Sequence, residues 1–422
     1  MNLRHNQTSS PVRGARALHG EPGFVFLDSS LSQPSSRSLL ASRPSLVLEG
    51  TDWGRLEGEL AKRQGGSLAE GAAIGTVAFD GAYHFGFYDR ISVFHHGTGQ
   101  WDNPPPASGP ACGEGENGGS FGGPAPRMAS GIGLRPGMRR EDFLEMVRRA
   151  KDYIAAGDIY QVCLAHAFEA AAPAGAAWEY FKRLRRISPA PYSAYMDLGG
   201  RQVVSASPEC FLRMDGRRIL TRPIKGTRPR RRDPEQDFCS EQELVTSAKE
   251  RAELVMITDL ERSDLGQVCE FGSVRVSELL LLERFEQVFH LVSTVEGRLR
   301  GEVSHVRALR ECFPGGSISG APKKRALEII RELEPCARGL YTGAIGYFSF
   351  SGESQFSVAI RTAVFQDGRA HFHVGAGIVA DSIAGEEWQE TLDKAAGLLA
   401  AGSESGGSGG GGGGGQALLP GD

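Results

Sequence analysis

Phe211-Leu-Arg-Met-Asp-Gly-Arg-Arg-Ile-Leu-Thr-Arg-Pro-Ile-Lys-Gly-Thr227 is the stretch on which the fold class turns. Residues 211–214 and 218–220 read as short strands joined by a tight turn at Asp215-Gly216, so they pair antiparallel. Residues 202–206 form a third short strand just before them, and the hairpin leads straight into Arg222-Pro-Ile-Lys-Gly-Thr227. There a proline fixes the approach to Lys225, a Gly-Thr pair follows, and Arg228, Arg230, Arg231 and Arg232 come close behind. Cations around an amine depress its pKa and free its lone pair at neutral pH, which makes Lys225 a candidate nucleophile. The plainer alternative is a solvated basic loop.

Downstream of the hairpin, the pattern predicts a long helix over 241–260 and another from Pro322 to Leu333, since proline suits a first helical turn. Strands over 343–350, 355–365 and 371–379 close the core, and a last helix covers 386–400. Upstream, strands are expected over 23–27, 73–78, 91–94 and 158–164, with a helix over 53–60. A further helix is carried by Phe143, Val147, Ala150 and Ile154, with Gly157 at its C-terminal cap. Residues 1–21 read as a flexible extension, 101–130 as a Pro/Gly-rich linker or loop, and 402–422 as a disordered Gly/Ser-rich tail. The fold class is therefore α/β (α+β) with mostly antiparallel sheets rather than a doubly wound nucleotide fold. Neither a G-x-G-x-x-G nor a phosphate-binding P-loop occurs where a strand meets a helix.

The 422 residues are 40% hydrophobic and 23% charged, too many for one small core. A net charge of −4 points to neither nucleic acid nor membrane as partner. Seven scattered cysteines without a C-x-x-C pair argue against a disulfide framework or zinc cage. No apolar run is long enough to span a membrane, so the expected location is cytoplasmic.

Several side chains invite a chemical reading. On the last helix Trp388, Leu392, Ala395 and Leu399 form an apolar stripe, with Glu387, Glu390 and Lys394 on the opposite face. A solvated face explains that pattern equally well. Glu253 shares its face with Met256, Ile257 and Leu260, and a carboxylate among apolar neighbours needs a partner or a metal. The partner is either an arginine or, with Glu390 as second ligand, Mg²⁺, which binds few carboxylates plus an anionic substrate. Along 355–365, Phe356, Val358, Ile360, Thr362 and Val364 face one way, while Ser357, Ala359, Arg361 and Ala363 face the other. An arginine among small residues can fork onto a carboxylate in a cavity; on an exposed face it means nothing. Gly375-Ala-Gly377 either brings backbone N–H groups close to an anion or marks a bulge. His290 and Tyr341 are weaker polar candidates. Together these suggest a small, multiply carboxylated substrate, with Mg²⁺ on one carboxylate and Arg361 on another.

Longer blocks then carry a resemblance. They include Gly157-Asp-Ile-Tyr-Gln161, Ser207-Pro-Glu209, Pro223-Ile-Lys-Gly-Thr227, Arg251-Ala-Glu253 and Asp259-Leu-Glu-Arg-Ser-Asp-Leu-Gly266. His290-Leu-Val-Ser-Thr294, Phe313-Pro-Gly-Gly-Ser317, Tyr341-Thr-Gly-Ala-Ile-Gly-Tyr347, Ala359-Ile-Arg-Thr362 and Glu387-Trp-Gln-Glu-Thr-Leu-Asp-Lys394 follow in order. From about residue 139 to 400 the chain resembles the chorismate-utilising enzymes. The resemblance implies a two-lobed sandwich of antiparallel sheets with outer helices, residues 22–100 supplying its N-terminal region and 131–401 the chorismate-binding catalytic region. It implies Mg²⁺ on Glu253 and Glu390, with Glu387 nearby, holding the ring carboxylate. Arg361, Tyr341 and the backbone of Gly375, Ala376 and Gly377 would hold the enolpyruvyl carboxylate, with Gly226, Thr227, His290, Thr294 and Lys394 also lining the site.

Anthranilate and isochorismate synthases carry alanine at the Lys225 position, whereas Pro-Ile-Lys-Gly-Thr resembles the aminodeoxychorismate synthase component I subgroup. In that subgroup's chemistry Lys225 would attack ring C2 and expel the C4 hydroxyl, with Glu209 as general acid. Ammonia, from a separate glutamine amidotransferase subunit, would then add at C4 and release the lysine. The product would be 4-amino-4-deoxychorismate, for 4-aminobenzoate and folate synthesis; the alternative is anthranilate formation. Two departures stand out: Cys163 replaces the subgroup's usual asparagine, and Phe26-Leu-Asp-Ser29 differs from the Leu-Leu-Glu-Ser of anthranilate synthases, where tryptophan binds.

Overall fold

A computed structural model describes residues 10–31, 35–106, 132–285 and 288–403. Its strands form two large sheets, of eleven and ten strands among the described residues, and the pairings between named strands are all antiparallel. The opening hairpin is present as expected. Cys210–Asp215 pairs with Arg218–Arg222, and Gly216 takes the left-handed turn position at φ +52°.

The two sheets face each other across an apolar layer. Val25, Leu39, Met196, Val203 and Val364 from the eleven-stranded sheet meet Ile74, Tyr88, Ile345 and Tyr347 from the other. Burying each large side chain of such a layer contributes about 2 kcal/mol. Helices Arg140–Ala155, Ala176–Ile187 and Ala384–Gly402 cover the outer face of the eleven-stranded sheet, while Pro234–Thr246 and Ala248–Gly266 cover the end of the ten-stranded one. The N-terminal strands are interleaved into both sheets: Val25–Asp28, Arg37–Ala41 and Ser92–His95 in one, Leu46–Gly50, Ala72–Val77 and Tyr83–Tyr88 in the other.

Three expectations need correction. The single strand over 355–365 is two strands in different sheets. Glu353–Val358 pairs with Cys210–Asp215, whereas Thr362–Gln366 pairs with Arg201–Ser207. Arg361 sits at the crossover with φ +50°. Both halves bury apolar residues, so the alternation runs on through a change of sheet that periodicity does not register. The helix over 241–260 is likewise two helices, broken at Ser247. That residue is extended (φ −60°, ψ 109°), and its hydroxyl accepts the Glu250 N–H at 3.3 Å as the cap of Ala248–Gly266. Within the supposed flexible extension, Pro11–Leu18 is a helix that buries Pro11 and Ala15. Most of the 101–130 linker and the tail beyond residue 403 lie outside the described residues.

Candidate active site

The lysine strand, Ile224–Pro229, runs beside Val288–Arg298, with Lys225 opposite Leu291, Thr227 opposite His290 and a bulge at Gly226. Gly226 has φ +74°, and a Cβ there would lie 2.5 Å from Leu244 Cδ1 and 3.0 Å from Glu250 Oε2, so glycine is required. The bulge re-aims the neighbouring side chain. Lys225 Nζ comes to 4.0 Å from Glu253 Oε2 on the Ala248–Gly266 helix, with its side chain only 17% exposed. Its other wall is the Arg369–Ile378 strand, where a Cβ on Gly377 would stand 3.7 Å from Lys225 Nζ and 2.6 Å from Gln161 Nε2.

The expected depression of the lysine's pKa by neighbouring arginines is overturned. Arg228 turns to Glu250 and Glu243, at 3.4 and 3.8 Å, and Arg230 pairs with Asp237 at 2.9 Å. Burial alone would lower the Lys225 pKa, but Cys163, Glu253, Glu209 and Glu390 outweigh it and hold the amine above the ordinary lysine value. The cations follow the lysine in sequence, but the groups that face it are anionic.

Glu209, 5% exposed, is pushed up to about 7 by burial. The Ser317 hydroxyl, the Ile224 backbone N–H and the charges of Lys225 and Lys394 work against that rise. A carboxyl that keeps its proton into the neutral range, next to an amine, has the properties of a general acid.

The other acids divide by partner. Glu253 is raised by burial, with Lys225 and Lys249 only partly offsetting it. For Glu390, burial is outweighed by Lys394, whose Nζ lies 2.6 Å from Oε1, and by Lys225 and Lys249, so its pKa is lowered. Glu387, which a solvated helix face would have left in water, is 2% exposed. Its Oε1 accepts from Ser382 at 2.7 Å and lies 3.5 Å from Lys249 Nζ, while its Oε2 is buried without a partner. Among the described residues no three acidic, histidine or cysteine side chains form a ready-made metal cage. A hard cation that keeps several waters needs fewer protein ligands, and these carboxylates, compensated only by flexible lysines, fit that demand.

Arg361 is buried enough to lower its pKa, and its guanidinium makes neither a hydrogen bond nor a salt bridge among the described residues. It is close enough to His290 to help burial push that imidazole down to about 4. His290 Nδ1 lies 2.9 Å from Thr227 Oγ1. The Tyr341 hydroxyl sits 3.0 Å from where a Cβ on Gly375 would be, and Lys394 Nζ donates to the Gly375 carbonyl at 3.0 Å. Ala376 turns its methyl into the core beneath, so it offers the site only backbone.

Thr294 is not brought here. Its hydroxyl donates to Glu278 at 2.6 Å and accepts from Arg222 at 3.0 Å. Four residues past His290, it lies about 13 Å further along the strand. Two groups without a sequence-stated role take places in the site. Ser317 is near enough to Glu209 to work against its raised pKa, and fully buried Gln161 leaves its Oε1 unpartnered. Both stand in quoted blocks, which is the only signal that pointed to them.

A profile of chorismate binding enzymes matches residues 50–400. The chain is 47% identical over 278 residues to anthranilate synthase component 1 of Thermus thermophilus, a match covering 66% of this chain and 60% of that protein. It is 49% identical over 265 residues to aminodeoxychorismate synthase component 1 of Klebsiella aerogenes, covering 63% and 58%. The matched segment thus spans about three-fifths of each relative's length. The crystal structure of anthranilate synthase component I from Streptococcus pneumoniae superposes with a TM-score of 0.76 at 30% identity, covering 94% of this chain and 99% of that one. Two antiparallel sheets with outer helices are thus the architecture of a known enzyme group, and the chain belongs to the chorismate binding enzyme family.

Proposed function

We infer that the protein is an aminodeoxychorismate synthase component I, which converts chorismate and ammonia to 4-amino-4-deoxychorismate. The observation that carries this reading is Lys225 itself: a shielded primary amine within 4.0 Å of Glu253, with Glu209 close by. In this reading, Lys225 Nζ forms a bond to ring C2 as the ring double bonds shift and the C4–O bond breaks. Glu209 gives its proton to the departing hydroxyl, which leaves as water. Ammonia then bonds to C4, the double bonds shift back, and the C2–N bond to lysine breaks. The amine must lose its proton before attack, and two of the carboxylates that keep it protonated in the free chain, Glu253 and Glu390, are read as metal ligands.

Glu253, Glu390 and Glu387 would hold Mg²⁺, which when bound supplies a positive charge for the ring carboxylate. Arg361 supplies the second positive anchor, for the enolpyruvyl carboxylate, and Gly375 and Gly377 let Tyr341 and Gln161 pack directly against the Arg369–Ile378 strand. A separate glutamine amidotransferase subunit is proposed as the ammonia source, and the cytoplasm as the location.

A second reading, anthranilate synthase component I, is favoured by the names of most of the similar curated proteins. Incubation with chorismate, Mg²⁺ and ammonium, before and after adding a lyase specific for aminodeoxychorismate, separates the two. The amination reading expects 4-aminobenzoate only after the lyase. Anthranilate fluorescence before it would establish the second reading instead.

A further inference from the structure

Where Arg361 makes no ion pair among the described residues, Arg338 is fully engaged, and the mechanism above gives it no part. It lies between the Lys323–Leu333 helix and the Ala344–Ser349 strand and is 4% exposed. Its Nε and Nη2 donate to the Glu334 carboxylate at 2.9 and 2.7 Å, and Nη2 donates also to the Cys163 carbonyl at 2.7 Å. Nη1 donates to the Ile318 carbonyl and to Thr342 Oγ1, both at 3.1 Å. Glu334 in turn accepts the Ala165 N–H at 2.9 Å. One guanidinium therefore ties the Gln161–Ala171 strand, the Gly316–Ile318 turn and the segment carrying Tyr341 to one another. Thr342 has φ +59°, a backbone conformation that a β-branched residue rarely takes. Its hydroxyl accepts from Arg338 and donates to the Tyr341 carbonyl at 2.5 Å, while its N–H donates to the Ala359 carbonyl at 2.8 Å. Backbone strain of this kind persists only where the surroundings over-determine it.

We propose that Arg338 is a positioning residue: by gripping Thr342 and the strand beside it, the guanidinium fixes the turn that aims the Tyr341 hydroxyl at the substrate carboxylate. This rests on the enolpyruvyl-carboxylate role that the family resemblance gives Tyr341. The tyrosine is held by its faces and its backbone, not by its tip. Its ring stacks on His373, with centroids 5.5 Å apart and planes at 19°, and the Arg338 guanidinium carbon lies 5.7 Å from the ring centre. The Tyr341 N–H donates to the Arg338 carbonyl at 3.0 Å. Its hydroxyl, 3.0 Å from where a Cβ on Gly375 would be, makes no hydrogen bond among the described residues, which leaves it for a ligand. An arginine is needed for this task because its planar fork serves acceptors in several directions at once, whereas an ammonium offers three donors from one point.

Arg338→Lys keeps a cation against Glu334 but cannot also reach Thr342 and both carbonyls. Thr342→Gly removes the hydroxyl between Arg338 and the Tyr341 carbonyl, suits a positive φ, and leaves the buried Arg338–Glu334 pair intact. The second variant therefore keeps the test readable even where the first does not fold. Each should raise KM for chorismate about tenfold while kcat stays within about threefold, the mark of a lost binding contact. Tyr341→Phe then asks whether the loss runs through the hydroxyl. Added to Tyr341→Phe, either variant should raise KM by less than about twofold further, because there is no hydroxyl left to misaim. KM effects that multiply in the double variants, or a KM that Thr342→Gly leaves unchanged, would overturn the proposal and leave Arg338 a purely structural residue. Turnover is followed as chorismate consumed, so anthranilate as the product would sink the amination reading and leave this comparison standing.

Discussion

Two polar regions of the molecule treat their charges in opposite ways. A cavity of about 270 Å³ opens beside Val25–Asp28, lined in part by Asp28, Arg37, Tyr192, Arg222 and Tyr347. Three of its four charged side chains are paired: Asp28 accepts from Ser38 at 2.7 Å and Arg185 at 2.6 Å, Arg222 donates to Glu283 at 2.7 Å, and Arg37 pairs with Glu353 and Tyr347, while Arg213 stays toward solvent. In the Lys225 cleft, Arg361 has no partner among the described residues, while Glu387 Oε2 and Gln161 Oε1 are buried and unpaired. Unpaired buried polar groups cost the free protein about 1–3 kcal/mol each, a cost recovered only when a ligand supplies the missing partners. The buried charges of the first region are paired; those of the second are left for a ligand.

Lys225→Ala should break that contrast most strongly, because it removes the proposed nucleophile. Chorismate consumption should fall at least about 10³-fold while the fold is retained, and a substrate adduct seen by mass spectrometry in the wild type should vanish. Unchanged turnover would remove the nucleophile role and leave the substrate assignment standing.

Arg361→Gln should raise KM for chorismate about 10²-fold without lowering the melting temperature, since the lost charge had no partner in the free protein. A large loss of stability would mean that Arg361 has a structural partner after all.

Glu209 connects the cleft to pH. Its folded pKa, about 7, lies above its ordinary value, so the folded protein binds more protons than the unfolded chain between those limits. That contribution to stability is fully present below about 4.5, and about 3 kcal/mol of it is lost as pH rises through about 7. Glu209→Gln should flatten this part of the stability–pH curve in urea titrations. The reaction should slow above about 7 in the wild type, where the acid loses its proton. A stability curve of identical slope in both proteins would contradict the raised value.

The smallest effect is expected in the other region. Arg37→Ala should cost about 1 kcal/mol in urea unfolding, a figure reduced for the partial exposure of its pair with Glu353, and should leave KM and kcat within about twofold. A KM change to match that of Arg361→Gln would show that the two regions are not independent.

Much of this was legible along the chain. The Asp215-Gly216 hairpin and the apolar alternation specify antiparallel strands because both signals are local, set by a turn conformation and a period of two. Lys225, Glu209, Glu253 and Glu390 were found because they stand in extended blocks, and Glu253 also because its helix face is otherwise apolar. Thr294 went wrong because sharing a strand and a face with His290 says nothing about where along that strand the site ends. Ser317 and Gln161 carried no local signal: a serine after two glycines and a glutamine in a strand look alike inside or outside a site.

The sequence by itself therefore determined the fold class, the family and which side chains are candidates for reaction, since those depend on short-range pattern and residue type. The tertiary structure decided the charge state and the partners. It turned the arginines after Lys225 toward acids elsewhere and set carboxylates around the amine, reversing the expected pKa shift. It placed Arg361 at the crossover between two sheets, where no side chain among the described residues pairs with it. Electrostatics depends on distance in space and on burial, and neither is a property of neighbouring positions in the chain.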